Sequence, residues 1–251
     1  MQRCAYLPQF QNFLHYTNAL NEESLYSKLQ KLASEEILRF CWETYGNAAF
    51  ASSSFQSSSL PLLHLISLVC SEMPVYFIDT GFHFSETLEF RDRITKSLSL
   101  NLKIVYPEIS KNELLGRHGE YLYRRDPDLC CYINKVSPMS KIADSRKIWI
   151  SGLRKDQTLH RSTLKLVEAQ PNGLQKVFPL LHWSKKKTED YMAQNNLPFH
   201  PLHHHGFKSI GCAPCTRPVD SNEDERAGRW GGMQKTECGL HKRIKTRKGV
   251  K

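Results

Sequence analysis

A chain of 251 residues, 40% hydrophobic and 24% charged, is long enough to bury a full core and reads as one globular domain rather than a disordered or fibrous chain. The net charge of +10 points to an anionic partner, either nucleic acid or a small phosphorylated or sulfated molecule, and eight cysteines are too sparse for a disulfide scaffold. No apolar run reaches the length of a membrane span and Met1-Gln2-Arg3-Cys4 opens no signal peptide, so a cytoplasmic protein without a membrane partner is expected.

In chain order, residues 19–45 are expected to be helical, with Leu25, Leu29, Leu32, Ile37, Leu38 and Trp42 near helical spacing. A buried strand is expected over 47–52, then a polar serine run over 52–59. A helix follows over 60–70, with Pro61 tolerated in its first turn. The next strand, 75–78, runs into Asp79-Thr80-Gly81. A helix over 84–98, a strand over 102–106 and apolar runs at 148–150 and 176–181 continue the alternation. This pattern predicts an α/β fold: a mostly parallel twisted sheet flanked by helices on both faces. Beyond about Leu197 the regular pattern gives way to Pro, His, Gly and Cys, in a segment expected to lie across the carboxyl ends of the strands. The organisation is one domain in three parts: a helical segment (1–45) packed on the core, an α/β nucleotide-binding core (46–196) and a C-terminal segment (197–251).

Four cysteines stand out by their arrangement. Cys130-Cys131 is answered far downstream by Cys212-Ala213-Pro214-Cys215, so the fold must bring the two halves together. Zinc ribbons prefer two C-x-x-C knuckles, because adjacent cysteines ligate one small ion awkwardly. A cluster presents several irons to neighbouring thiolates, so the pattern favours [4Fe–4S] over zinc. Lys135 follows closely and offsets the negative charge. A fifth cysteine, Cys238 in Glu237-Cys238-Gly239-Leu240-His241, lies among cations and a histidine, a setting that favours a reactive thiolate. Arg226 and Arg229 suit bidentate recognition of phosphate or sulfate, and Trp230 offers an aromatic face.

The serine run sits between a strand and a helix, where backbone N–H groups attract anions. It reads equally as a flexible polar loop, and it lacks the Gly-Lys-Ser/Thr ending of a P-loop. Asp79-Thr80-Gly81 suits a ribose or adenine edge, or simple turn punctuation. Cys4, Cys41 and Cys70 read as small hydrophobic fillers, His203-His204-His205 as a polar loop, and the basic stretch 242–251 as a solvated terminus.

Three longer stretches complete the picture. They are Tyr76-Phe77-Ile78-Asp79-Thr80-Gly81-Phe82-His83-Phe84-Ser85-Glu86-Thr87, Trp149-Ile150-Ser151-Gly152-Leu153-Arg154-Lys155-Asp156-Gln157, and the run from Ser209-Ile210-Gly211-Cys212 through Arg217-Pro218 to Arg226-Ala227-Gly228-Arg229-Trp230. Together with Asp126-Pro127-Asp128-Leu129-Cys130-Cys131 and the closing Glu237–His241 motif, the chain from Ala49 to His241 resembles the assimilatory sulfonucleotide reductases. Its cysteine quartet is similar to that of the cluster-containing, adenylyl-sulfate-reducing branch. The resemblance implies that Cys130, Cys131, Cys212 and Cys215 ligate a [4Fe–4S] cluster and that Cys238 is the nucleophile. It implies further that Lys135, Arg154, Arg226, Arg229, Trp230 and His241 line the sulfate and phosphate site, and that Ser52, Ser54, Phe55, Gln56, Asp79, Thr80 and Gly81 hold the nucleotide.

Two departures bear on the substrate. Asn134 stands where the family often has an arginine, and Ser53-Ser54-Phe55-Gln56 is similar to the turn of phosphoadenylyl-sulfate users, so both nucleotides are candidate substrates. No thioredoxin-like extension follows Cys238, so thioredoxin or glutaredoxin is expected as a separate reductant, and the protein as a homo-oligomer without a nucleic-acid partner. Two rivals carry less of the sequence. A tRNA-thiolating ATP pyrophosphatase would show Ser-Gly-Gly-x-Asp-Ser, which the serine run does not. A zinc-ribbon nucleic-acid binder has no use for Cys238.

Overall fold

The computed structural model describes residues 20–241, with no account of the His241 side chain; Cys4 and the basic stretch 242–251 lie outside the described residues. The helical run expected over 19–45 is two helices, α1 (Glu22–Leu29) and α2 (Ser34–Tyr45). Asn21 caps α1 by accepting from the Ser24 amide at 2.8 Å, and the chain re-enters helix where the Glu36 carboxylate accepts from the Ala33 amide at 2.8 Å. Ser34 fixes the break, donating to the Pro179 carbonyl at 2.8 Å and accepting from Trp183 Nε1 at 3.0 Å. Both helices can then turn their apolar residues to the same core.

β1 (Ala49–Ser52) leads through the serine turn into α3 (Leu60–Val69), and β2 (Val75–Ile78) into α4 (Ser85–Ser97) and β3 (Leu102–Val105). A helical stretch that periodicity did not flag follows: α5 (Lys111–His118), α6 (Leu122–Arg125), α7 (Pro127–Cys131), a π-turn (Tyr132–Val136) and α8 (Ser137–Ala143). Then come β4 (Ile148–Ser151), α9 (Leu159–Ser162), the hairpin of β5 (Val167–Ala169) and β6 (Gln175–Val177), and α10 (Lys185–Gln194). The apolar run at 176–181 is thus strand only at its start. α10 carries three lysines in its first turn and too few apolar residues to signal itself.

The sheet order is β3-β2-β1-β4-β6-β5, parallel except for β5 against β6. Strand alternation sorts its side chains into two cores. Ala49, Ala51, Val75, Phe77, Ile148 and Ile150 face the larger one, under α1–α4 and α10. Phe50, Tyr76, Ile78 and Trp149 face the smaller one, capped by Met139 and Ala143 of α8. Strands buried on both faces read as continuous apolar runs, and so were legible in the sequence.

The chain runs outward from β1 through β2 to β3, then returns to β4 on the other side of β1. Loops diverge at that reversal and leave a crevice at the carboxyl ends of the strands. Beyond α10 only 3₁₀ turns remain among the described residues. This segment is stapled across the strand ends: the Gln56 and Ser57 side chains accept from the Ile210 and His200 amides at 2.9 Å each, and Ala213 N–H donates to the Phe82 carbonyl at 2.7 Å.

The smaller core depends on Phe50, stacked on Trp149 at 5.5 Å and set edge-on to Tyr76 at 5.4 Å. Phe50→Ala is expected to lower stability by about 3–5 kcal/mol through lost burial and the cavity left behind. Urea unfolding should show this as a lower midpoint at unchanged slope.

Candidate active site

The crevice at β1 and β4 opens as a cleft bordered by residues from both strands and from the C-terminal segment. Ser52, Ser54, Gln56, Lys135, Arg226, Arg229, Trp230 and Cys238, drawn from four distant stretches of sequence, all border it. The serine turn is built from within: Ser52 Oγ accepts from Trp149 Nε1 at 2.8 Å and Ser53 Oγ accepts from the Phe55 amide at 3.0 Å. Ser54, Ser58 and Ser59 of the turn, with Ser151 at the end of β4 and Gly152 after it, form an uncharged polar wall suited to a nucleotide.

Five predicted residues lie elsewhere. Phe55 takes a positive φ of 53° so that its ring enters the core, 5.8 Å from Phe77. Asp79 accepts from the Gly81 amide at 3.0 Å, shaping the turn in which Gly81 adopts φ 70°. Thr80 Oγ1 lies 3.4 Å from Cys212 Sγ, on the cysteine side of the turn. Arg154 is buried, its Nε donating to Asp156 at 2.9 Å, and it borders a separate cavity with Lys185 and Lys208. The cleft position that Arg154 was expected to fill belongs to Arg161, which follows the Thr158 cap of α9.

Cys238 is half-buried at the edge of the cleft. Its thiol is held well below the ordinary thiol range by a hydrogen bond from Cys131, then by Lys135, the Leu240 amide and Arg229, all against the effect of burial. For Lys135 burial opposes the charge, but Cys212, Cys238 and Cys131 outweigh it and keep the ammonium protonated. Burial and the neighbouring Arg161 push Arg226 down to about 10, with Glu237 opposing. Two buried donors, Arg226 Nε and Arg229 Nε, find no acceptor among the described residues. Buried donors without partners are costly, and two of them beside a cleft mark where an anion would be held.

Close packing of backbone makes this geometry possible. Gly211 leaves room for the Arg229 guanidinium, which a Cβ there would overlap. A Cβ on Gly239, beside Cys238, would come within 2.9 Å of Val136, next to Lys135. The Arg229 guanidinium also lies over the Trp230 ring, 4.5 Å from its centroid.

Behind the cleft, Cys130, Cys131, Cys212 and Cys215 line one smaller cavity, closed by Phe82, Tyr123 and Trp230. Lys135 and Trp230 border both spaces. Burial and the Cys212 and Cys215 thiols push Cys130 up to about 11, and burial raises Cys215 too. Burial and crowding thus disfavour the ionised forms of Cys130 and Cys215, and a bound cation would offset that cost. Among the described residues, no three of His, Cys, Asp or Glu are placed to hold a single metal ion. Asn134, buried in the π-turn, donates to the Cys130 carbonyl at 2.9 Å and lies 3.6 Å from its sulfur, so the residue replacing the family's usual arginine faces the quartet.

Sequence reasoning missed Arg161, and it gave no role to Glu237, Lys235 or His83. His83 borders the cleft, with Nε2 2.9 Å from the Ile78 carbonyl and its pKa lowered to about 4 mainly by burial. Only their place within the quoted motifs could have signalled His83 and Glu237. The buried pairing of Glu237 with Arg161 spans 76 positions, beyond the reach of local pattern.

A parallel sheet with a ligand cleft at its switch point, walled by serines, cations and one thiol favoured in its ionised form, has the architecture of a nucleotide-binding enzyme. Comparison with known proteins agrees. Residues 48–218 match the family described as Phosphoadenosine phosphosulfate reductase domain. The chain is 39% identical over 224 residues to an Adenosine 5'-phosphosulfate reductase of Halalkalibacterium halodurans, covering 88% of this chain and 97% of that protein. It is 39% identical over 207 residues to Adenosine 5'-phosphosulfate reductase 1 of Bacillus subtilis, covering 82% and 89%. Among solved structures, phosphoadenylyl-sulfate reductase from Candida auris superposes with a TM-score of 0.69 at 26% identity, over 80% of this chain and 99% of that one. Candida glabrata FMN adenylyltransferase shares the fold alone, with a TM-score of 0.53 at 18% identity over 82% and 73% of the two chains. The chain belongs to the phosphoadenosine phosphosulfate reductase domain family, and it is an oxidoreductase.

Gly211→Ala is expected to displace Arg229 and weaken binding of AMP, used as an anionic probe, by about tenfold, the size of one lost charge-assisted hydrogen bond. Calorimetric titration would measure it, with circular dichroism checking that the fold is retained.

Proposed function

We propose that this protein reduces adenylyl sulfate to sulfite and AMP through an S-sulfocysteine on Cys238, with thioredoxin or glutaredoxin as the electron donor. The observation that carries this reading is the presence of the Cys238 thiol on the same cleft as Lys135 and the two arginines whose buried Nε donors lack acceptors. A nucleophile alone would serve many reactions. A nucleophile beside an unfilled cradle for an anion suits attack on a sulfated nucleotide.

The Cys238 thiolate attacks the sulfuryl sulfur, forming an S–S bond, while the bond from sulfur to the bridging phosphate oxygen breaks and AMP leaves with that electron pair. Both reactants are anionic. Lys135, Arg161, Arg226 and Arg229 offset that repulsion and stabilise the charge that builds on the leaving phosphate. The serine turn holds the nucleoside end. A thiolate of the reductant then attacks Cys238 Sγ and releases sulfite; its second thiol resolves the mixed disulfide, so the dithiol supplies both electrons and Cys238 returns as a thiol.

Cys130, Cys131, Cys212 and Cys215 line one cavity, and because the adjacent pair Cys130-Cys131 would ligate one small ion awkwardly, they fit a [4Fe–4S] cluster better than zinc. When bound, such a cluster would supply a fixed charge and a cross-link behind the cleft. Adenylyl sulfate is favoured over phosphoadenylyl sulfate by the greater identity to relatives named for it, 39% against 26%. A reducing cytoplasm, where thiols and a dithiol donor stay reduced, suits this chemistry.

Intact-mass analysis of anaerobically purified protein, incubated separately with adenylyl sulfate and phosphoadenylyl sulfate, tests the reading. One added sulfonate that maps to Cys238 and is removed by thioredoxin is expected, with adenylyl sulfate the better donor. Its absence with both nucleotides, from protein of intact visible absorbance, would overturn it. Cys238→Ser should abolish the adduct and keep the absorbance, whereas Cys130→Ser should lose the absorbance.

A further inference from the structure

Two ion pairs anchor the chain just before Cys238. One residue before it, Glu237 is 1% exposed. Its Oε1 accepts from Arg161 Nε at 2.8 Å and from Thr158 Oγ1 at 3.0 Å, while its Oε2 accepts from Arg161 Nη2 at 2.8 Å and lies 3.5 Å from Arg226 Nη2. Arg226 also donates to the Thr236 carbonyl at 3.2 Å. Three residues before Cys238, buried Lys235 pairs with Asp128 of α7, the helix that carries Cys130 and Cys131. Beyond Cys238, Lys176 of β6 donates to the Leu240 carbonyl at 2.8 Å. Apart from the 3₁₀ turn Gly239–His241, the segment has no helix or strand of its own here among the described residues, so these contacts hold it in place.

We infer that Glu237 is a positioning residue: its carboxylate, clamped by Arg161 and shared with Arg226, docks the Cys238 segment against the cleft and sets how much cationic charge remains for the substrate. A buried carboxylate with bidentate partners is anchored firmly, because releasing it leaves two charges buried and unpaired. The clamp is adjacent to the nucleophile, so its loss moves Cys238 directly. It also neutralises part of the charge of Arg161 and Arg226, leaving Lys135 and Arg229 as the cations not committed to Glu237. The inference deepens the reading of Cys238 as the nucleophile and rests on that reading for its kinetic arm.

Glu237→Gln keeps the shape and removes the charge. With adenylyl sulfate, kcat is expected to fall about 100-fold, as for a nucleophile displaced by about an ångström. KM should stay level or fall, because an added uncompensated cation attracts the nucleotide. A purely structural defect would instead raise KM as kcat drops. Iodoacetamide labelling of Cys238 at pH 9, where an ordinary thiol is largely ionised and exposure sets the rate, is expected to quicken several-fold. Amide exchange should rise over 235–240 and not in β1 or β4. Thr158→Val removes one donor to the carboxylate, together with the cap of α9, but keeps both partners of the ion pair, and should produce the same changes at smaller size. The proposal is overturned if KM rises in step with the loss of kcat, or if labelling and exchange match the unsubstituted protein. Labelling and exchange need no turnover, so they decide the docking role even if neither nucleotide transfers a sulfonate.

Discussion

Lys135, Arg161, Arg226 and Arg229 crowd into one cleft, and four cations at such range would drive each other apart or lose their protons unless anions were built in among them. Burial and Arg161 already pull Arg226 down to about 10. Glu237 supplies a fixed counter-charge on one side, and Cys238, favoured as a thiolate, supplies one on the side of Lys135. The site is therefore a lattice in which anions are set among the cations. Arg226 Nε and Arg229 Nε are left without acceptors, and a substrate anion completes the lattice.

Such a lattice needs rigid supports, which come from the sheet reversal between β1 and β4. The serine turn leaves β1 and the Ser151-Gly152 turn leaves β4, and their divergence makes space that no side chain fills. Both strands are buried on both faces, so the two turns spring from the least deformable part of the molecule. The irregular C-terminal segment can then bring Arg226, Arg229 and Cys238 across the opening without secondary structure of its own. Backbone contacts at Gly211 and Gly239 let it approach more closely than a side chain would allow.

The cysteine cavity and the cleft share a wall. Lys135 and Trp230 border both, and Cys238 packs against the cluster of Cys131, Cys212, Cys215 and Trp230. Lys235, on the nucleophile's own segment, bonds the helix that carries Cys130 and Cys131. Whatever orders the four sulfurs also orders the Cys238 thiol, which gives a physical reason for placing a cysteine quartet behind a fifth cysteine that does not itself belong to it.

Much of this was legible in the sequence where the relevant physics is local. The strand at 75–78, the helix with Pro61 in its first turn and the separate standing of Cys238 follow from periodicity, helix-end chemistry and cysteine spacing. The convergence of Cys130-Cys131 with Cys212 and Cys215 was implied by their number and is realised in one cavity. Other features were decided only by tertiary structure. Phe55 turns into the core because burying its ring offsets a strained backbone, and Arg154 is drawn to Asp156 and away from the cleft. Arg161 takes the cleft position because Glu237, 76 residues away, is delivered to it. The sequence by itself determined which chemical groups this protein owns and which segments form the sheet. Which cations face the substrate was decided by long-range burial and charge pairing, because those energies depend on neighbours that no local pattern encodes.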